Sequence, residues 1–201
     1  LGLALALHTA HLERTHVGAD GPEFAFTLVE RVHIAARALL FYPAKLLWPW
    51  PLIFIYPRWE LATEAWAGWS AVALVLAVAV AALIAFARGV RAPALALAFF
   101  AGSLVPALGF FDVYPMRYSF VADHFQYLAS LGVLSWVVGS LAAHFGQRRE
   151  LALAGVLVLA GLGARTWSQT RVYADAETLW RATVRLNPGA WMAHTNLATA
   201  L

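Results

Sequence analysis

Cysteine is absent from the 201 residues, so neither a disulfide nor a thiolate metal site can form, and the redox compartment stays open. Charge is scarce: Asp, Glu, Lys and Arg make up 12% of the chain, against about a quarter in soluble domains. No phosphate-binding loop of the nucleotide type is present, because Gly155, Gly161 and Gly163 fall inside an apolar run where small residues serve close helix packing. The net charge of +3 is too small for a nucleic-acid surface, and no nucleic-acid partner is expected. What abounds is apolar: 62% of residues are hydrophobic and the mean hydropathy is +0.68. These proportions belong to an integral membrane protein, all-α and polytopic.

A bilayer core takes about 20 helical residues to cross. Trp66–Ala87, Pro93–Phe111 and Phe125–Phe145 meet that length, and Leu151–Trp167 is shorter with Trp167 as an interfacial anchor. Arg88 and Arg91 separate the first two runs, and Arg148 and Arg149 the last two. By the positive-inside rule both short loops are cytoplasmic. The loop Asp112–His124 and everything after Trp167 then face the opposite, extracytoplasmic side. Leu1 to Leu7 reads as the end of a further spanning helix, so more membrane segments are expected upstream.

The stretch Phe26–Trp48 is apolar at Leu28, Val32, Ala35, Ala36, Leu39 and Leu46, yet carries Glu30, Arg31, His33, Arg37 and Lys45. Each Arg at the middle of a bilayer costs about 3 kcal/mol on insertion scales. An amphipathic helix over 26–47 lying in the interface avoids that cost. The alternative is a spanning helix whose charges line a cavity. Pro43 is expected to break the helix, and Trp48-Pro49-Trp50-Pro51 cannot continue it. Trp48, Trp50, Tyr56, Trp59, Trp66 and Trp69 form an aromatic belt.

From Asp175 onward the intervals change character. Ala176, Trp180, Pro188, His194, Leu197 and Ala198 follow the tetratricopeptide (TPR) spacing. In that pattern the small residue lets two helices approach, Trp180 fills the gap, and Asn187-Pro188-Gly189 turns the chain. His194 stands where the pattern prefers Trp, and Leu201 where it prefers Tyr. The alternative is a chance helical hairpin. Residues 1–168 thus form a membrane domain and 169–201 the start of a TPR array. A lone repeat cannot bury its apolar face, so further repeats are expected downstream. Only Ser168–Tyr173 intervenes, which favours an array growing rigidly out of the membrane domain.

Two clusters could carry chemistry. The loop from Asp112 to Tyr127 packs Arg117, Tyr118, Asp123, His124 and Gln126 between two apolar runs, where polar groups mark a site by default. Arg117 would bind an anionic group bidentately, and Asp123 or His124 could orient a hydroxyl or move a proton. The plainer reading is an Arg117–Asp123 pair that ties the loop down. The second cluster is the cationic face Arg31, His33, Arg37 and Lys45, with Arg58 beyond. It fits either anionic headgroups or the phosphate of a lipid-linked substrate. His8, His11, Glu13 and His16 have helix-face spacing for a metal, but nothing fixes a tight site, and no metal is expected.

The string from Phe110 to Gly132, the segment Tyr42-Pro-Ala-Lys-Leu-Leu-Trp-Pro49 and the terminal repeat occur in that order. Together they resemble the C-terminal membrane half of bacterial TPR-containing proteins related to the transmembrane and TPR O-mannosyltransferases, over about Arg31 to Leu201. The resemblance implies a glycosyltransferase of GT-C architecture in the bacterial inner membrane. A polyprenyl-phosphate sugar would be the donor and co-substrate, with no cofactor, and the active site would face the periplasm. The repeats would present a protein acceptor. It also implies that Arg31, Arg37 and Lys45 lie near the lipid phosphate, with Arg117 and Tyr118 facing the same cavity. The family's catalytic acid lies in a first loop that this chain does not contain, so no catalytic residue is assigned. The chain by itself is expected to be inactive. A non-catalytic, membrane-anchored TPR scaffold and a diphosphate-linked glycan polymerase or ligase are the competing readings.

Overall fold

The computed structural model describes residues 8, 12–19, 21–61, 66–146 and 148–201. Every regular element among them is helical, from α-helices to single 3-10 and π turns. The chain divides into two units, one of 1–50 with 56–133 and the other of 51–55 with 134–201.

In the first unit, α1 (Leu28–Leu47) starts at Thr27 with a reciprocal cap. The Thr27 N–H donates to Glu30 Oε2 at 2.7 Å, and the Glu30 N–H donates to Thr27 Oγ1 at 3.3 Å. Glu30, a liability for a spanning helix, here closes the cap that starts α1. Its charged form is favoured first by the Thr27 backbone bond, which holds its pKa below the usual value. Pro43 does not break α1, contrary to the expectation. One more turn follows it, closed by the Trp48 N–H on Ala44 O at 2.8 Å. Proline removes only its own N–H bond, and so close to the helix end little ladder remains to lose.

Helix α2 (Trp66–Ala87) falls where expected and is long and apolar enough to cross a membrane. It ends on Gly89 at φ 91°, where the Val90 N–H reaches back to Ala85 O at 2.9 Å. That reach-back bond is the glycine-dependent helix stop. Helix α3 (Ala92–Leu104) corrects the expected span 93–111. It runs 13 residues and tightens into a 3-10 turn, Val105–Ala107, at Pro106. Helix and turn reach about 26 Å, roughly one helical turn short of a 30 Å core. Helix α1 packs on α2, and α2 on α3. Helix α4 (Gln126–Phe145) approaches α3 so closely that a Cβ on Gly132 would meet Ala96 O at 2.9 Å. The core gathers Ile34, Ala38 and Tyr42 from α1, Leu104 from α3, Met116, Phe120 and Val121 from the loop, and Ala129 from α4.

The second unit holds the rest of α4, then α5 (Arg149–Thr170), α6 (Ala176–Leu186) and α7 (Trp191–Ala200). With its following 3-10 turn α5 is a third helix long and apolar enough to span, after α2 and α4. Asp175 caps α6 by accepting from the Thr178 N–H at 2.7 Å. Helices α6 and α7 pack as a hairpin with Thr183, Asn187, Ala190 and Ala193 buried. His194 reaches back to Pro188 O at 2.9 Å and closes the turn. Ala176, expected at the helix contact, is exposed. Trp180 packs edge-on against Phe54 at 5.4 Å, so the segment 51–55 supplies its partner. Asn187 Nδ2 donates to Ile55 O at 3.1 Å and holds that segment in place.

Candidate functional site

The first unit sorts its cations into two kinds. Arg31 is spent on the fold: its guanidinium donates to Gly109 O at 2.6 Å, Phe24 O at 3.2 Å and Asp112 Oδ1 at 2.8 Å, and its Nε to Phe26 O at 3.3 Å. Gly109 makes this possible. At φ 88° it turns the chain after α3, and a Cβ there would meet Ile34 Cγ2 at 2.9 Å. Arg117 lies 3.1 Å from Glu23 Oε1, so the expected Arg117–Asp123 pair is replaced by one across to the Pro22–Phe24 turn. His33 leaves the cationic face altogether. It is 2% exposed, edge-on to Trp69 at 4.7 Å, and its Nε2 has no hydrogen-bond partner among the described residues.

Arg37, Lys45 and Arg58 are the second kind. Arg37 stacks over Trp59 at 4.6 Å and donates to Glu60 O at 3.0 Å. Arg58 lies over Phe120 at 4.9 Å and Phe26 at 5.4 Å, and donates to Glu23 O at 2.7 Å. Lys45 lies over Phe41 at 5.5 Å and Tyr56 at 5.3 Å. The rings join into one shelf: Phe26 to Phe120 at 5.6 Å, Phe120 to Trp59 at 5.9 Å, Trp59 to Phe41 at 6.2 Å and Phe41 to Tyr56 at 5.0 Å. Ring faces and backbone carbonyls orient a guanidinium without neutralising it. Burial lowers the pKa of all three cations, for Lys45 against the pull of Asp123 and for Arg58 against that of Glu23. Both Arg side chains stay charged regardless.

Asp123 sits at the end of this shelf, part-buried, one residue before His124 and just ahead of α4. Tyr56 Oη donates to its Oδ1 at 2.8 Å. Tyr42, wholly buried on α1, brings a hydroxyl with no partner of ordinary geometry. Its burial raises its pKa, and the backbone N–H of Ala122 and the charge of Asp123 are its polar surroundings. His124 is exposed and stacks on Phe125 at 4.4 Å. Tyr118 and Tyr114 share a hydroxyl bond at 2.9 Å. Burial first, then that bond, raises the Tyr118 pKa, while acceptance from Tyr118 lowers that of Tyr114.

Of the residues singled out in the sequence, Arg37, Lys45, Arg58 and Asp123 come together on one shelf. Arg31, Arg117 and Tyr118 are tied to other partners, and His124, exposed, has its ring contact with Phe125. Sequence reasoning missed Tyr56, Trp59 and Phe120 as site-builders. Tyr56 and Trp59 read there as interfacial belt, yet Tyr56 is 4% exposed. Their spacing to Arg58 was the available signal. For the His8, His11, Glu13, His16 group, His11 lies outside the described residues, and His16 bonds Thr15 Oγ1 at 2.7 Å. Among the described residues no three metal-ligating side chains converge. No protein family, characterised protein or solved structure matches this chain.

Proposed function

We propose that the chain is the C-terminal part of a polyprenyl-phosphate-sugar-dependent glycosyltransferase of GT-C type, acting at the extracytoplasmic face. It would transfer the sugar to a hydroxyl of a protein or glycan. The observation that carries this reading is the shelf of Arg37, Lys45 and Arg58. The two guanidiniums are oriented by aromatic rings and neutral carbonyls, in a chain with three helices apolar enough to span a bilayer. A phosphate leaving group needs charge stabilisation more than a covalent nucleophile, and pre-oriented cations supply it. The neighbouring aromatics suit the lipid end of such a donor. The Arg88/Arg91 and Arg148/Arg149 loops favour a cytoplasmic side opposite the shelf. The TPR spacing at 175–198 and the observed α6–α7 hairpin support a repeat array that recruits the acceptor.

The test is binding of radiolabelled polyprenyl-phosphate mannose to the full-length protein in nanodiscs. Arg37→Ala and Arg58→Ala are each expected to weaken binding about 10- to 100-fold while the protein stays folded. A folded wild-type protein that binds neither this donor nor other polyprenyl-phosphate sugars would point to a non-catalytic TPR scaffold.

A further inference from the structure

We infer that Asp123 limits the charge the shelf can accept, and so selects a lipid bearing one phosphate over a lipid bearing two. The inference rests on the glycosyltransferase reading above and asks no proton transfer of Asp123.

The carboxylate stands at one end of the shelf, part-buried. Tyr56, a shelf ring only 4% exposed, donates from Oη to Asp123 Oδ1 at 2.8 Å. The Lys45 ammonium lies over the face of that same ring at 5.3 Å and feels the Asp123 charge. Tyr56 thus holds an anion at its hydroxyl and a cation at its face. Because the ring is buried, the two charges are placed by the fold.

Lys45 is therefore offset by Asp123. Glu23 lies near Arg58, but its carboxylate is engaged by Arg117 at 3.1 Å. Glu60 is exposed, where solvent and salt screen its charge. The cations left uncompensated are Arg37 and Arg58, oriented by ring faces and carbonyls. Two positive charges suit a single phosphate. Polyprenyl phosphate, the leaving group of the proposed transfer, carries about two negative charges at neutral pH, and a polyprenyl diphosphate about three. The second phosphate would have to draw on Lys45, which Asp123 already offsets, and would approach a part-buried carboxylate. Like charges repel there more strongly than in open water. Discrimination of this kind comes from the repulsive group as much as from the attractive ones.

The experiment measures binding of polyprenyl phosphate and of polyprenyl diphosphate to the full-length protein in nanodiscs at fixed ionic strength. The wild type is expected to prefer the monophosphate. Asp123→Asn keeps the side chain's shape and removes its charge, so it should tighten diphosphate binding about 10-fold more than monophosphate binding. A purely structural role would weaken both lipids alike and leave their ratio unmoved. A folded Asp123→Asn protein with the wild-type ratio overturns the inference and leaves the glycosyltransferase reading standing. Should that variant fail to fold, Lys45→Gln decides. It leaves Asp123 uncompensated, so diphosphate binding should fall about 10-fold further than monophosphate binding, and an unchanged ratio overturns the inference. A wild-type protein that binds the diphosphate as well as the monophosphate, or better, overturns the inference too. One that binds neither lipid overturns the glycosyltransferase reading with it.

Discussion

Replacing Arg31 by Ala tests whether a cation in the first turn of α1 serves the fold or the ligand. The side chain makes four hydrogen bonds, to three backbone carbonyls and the Asp112 carboxylate. The Arg31 and Asp112 side chains are only 16% and 11% exposed. Removing the guanidinium takes the cation from beside the Asp112 carboxylate and a donor from the Gly109 carbonyl together. Breaking a buried pair from one side costs about 3–5 kcal/mol, and the residual exposure places this case near about 3. In a cooperative unit of this size that lowers the melting temperature by about 6–12 °C. Intrinsic tryptophan fluorescence during heating reads it, because Trp69 packs on the same helix through His33. Asp112→Ala should destabilise by a similar amount. The Arg31→Met, Asp112→Leu double variant should recover part of the loss, since both charges of the pair are removed together. An Arg31→Ala protein that melts with the wild type but fails to bind polyprenyl-phosphate sugar would refute this reasoning and return Arg31 to the phosphate site.

Gly132→Ala should destabilise the first unit by about 1–3 kcal/mol in the same assay, because its Cβ meets a backbone oxygen of α3 that cannot move aside. Asn187→Ala should cost about 1–3 kcal/mol and raise hydrogen exchange in α6 and α7, since the Ile55 carbonyl loses a buried donor. The Glu30 cap gives a pH signature. Its folded pKa lies below the ordinary 4.5, so its stabilisation is complete above that value and disappears as pH falls through the folded pKa. Thr27→Ala should abolish that acid-side dependence, read by circular dichroism against pH.

The apolar helices were legible because hydropathy needs only composition and length, as α2, α4 and α5 show. Helix α3 was misjudged by the same rule: hydropathy runs on to Phe111, but Pro106 and the left-handed Gly109 end the helix. Pro43 was misjudged in reverse, since a proline late in a helix has little ladder left to break. The candidate cations were legible as a set but not as individuals. Arg31 and Arg37 look equivalent on a helical wheel. Only the fold brings Asp112, 81 residues away, to one and a neutral carbonyl to the other. Asp123 was visible as a residue, while its partner Tyr56, 67 positions earlier, was not.

The separation of Arg31 from its partners sets an order of events during synthesis. Its bonds to Gly109 and Asp112 span 78 and 81 residues. At synthesis rates of about 5–20 residues per second, about 4–16 s pass between the emergence of Arg31 and that of Asp112. Throughout that interval α1 carries a guanidinium whose partners after α3 have not yet been made. The Arg31 end of the helix can lock into place only when the loop after α3 arrives. The Arg31–Asp112 bond is therefore a late closing event, and variants that weaken it should show up first as proteolysis of newly made chains.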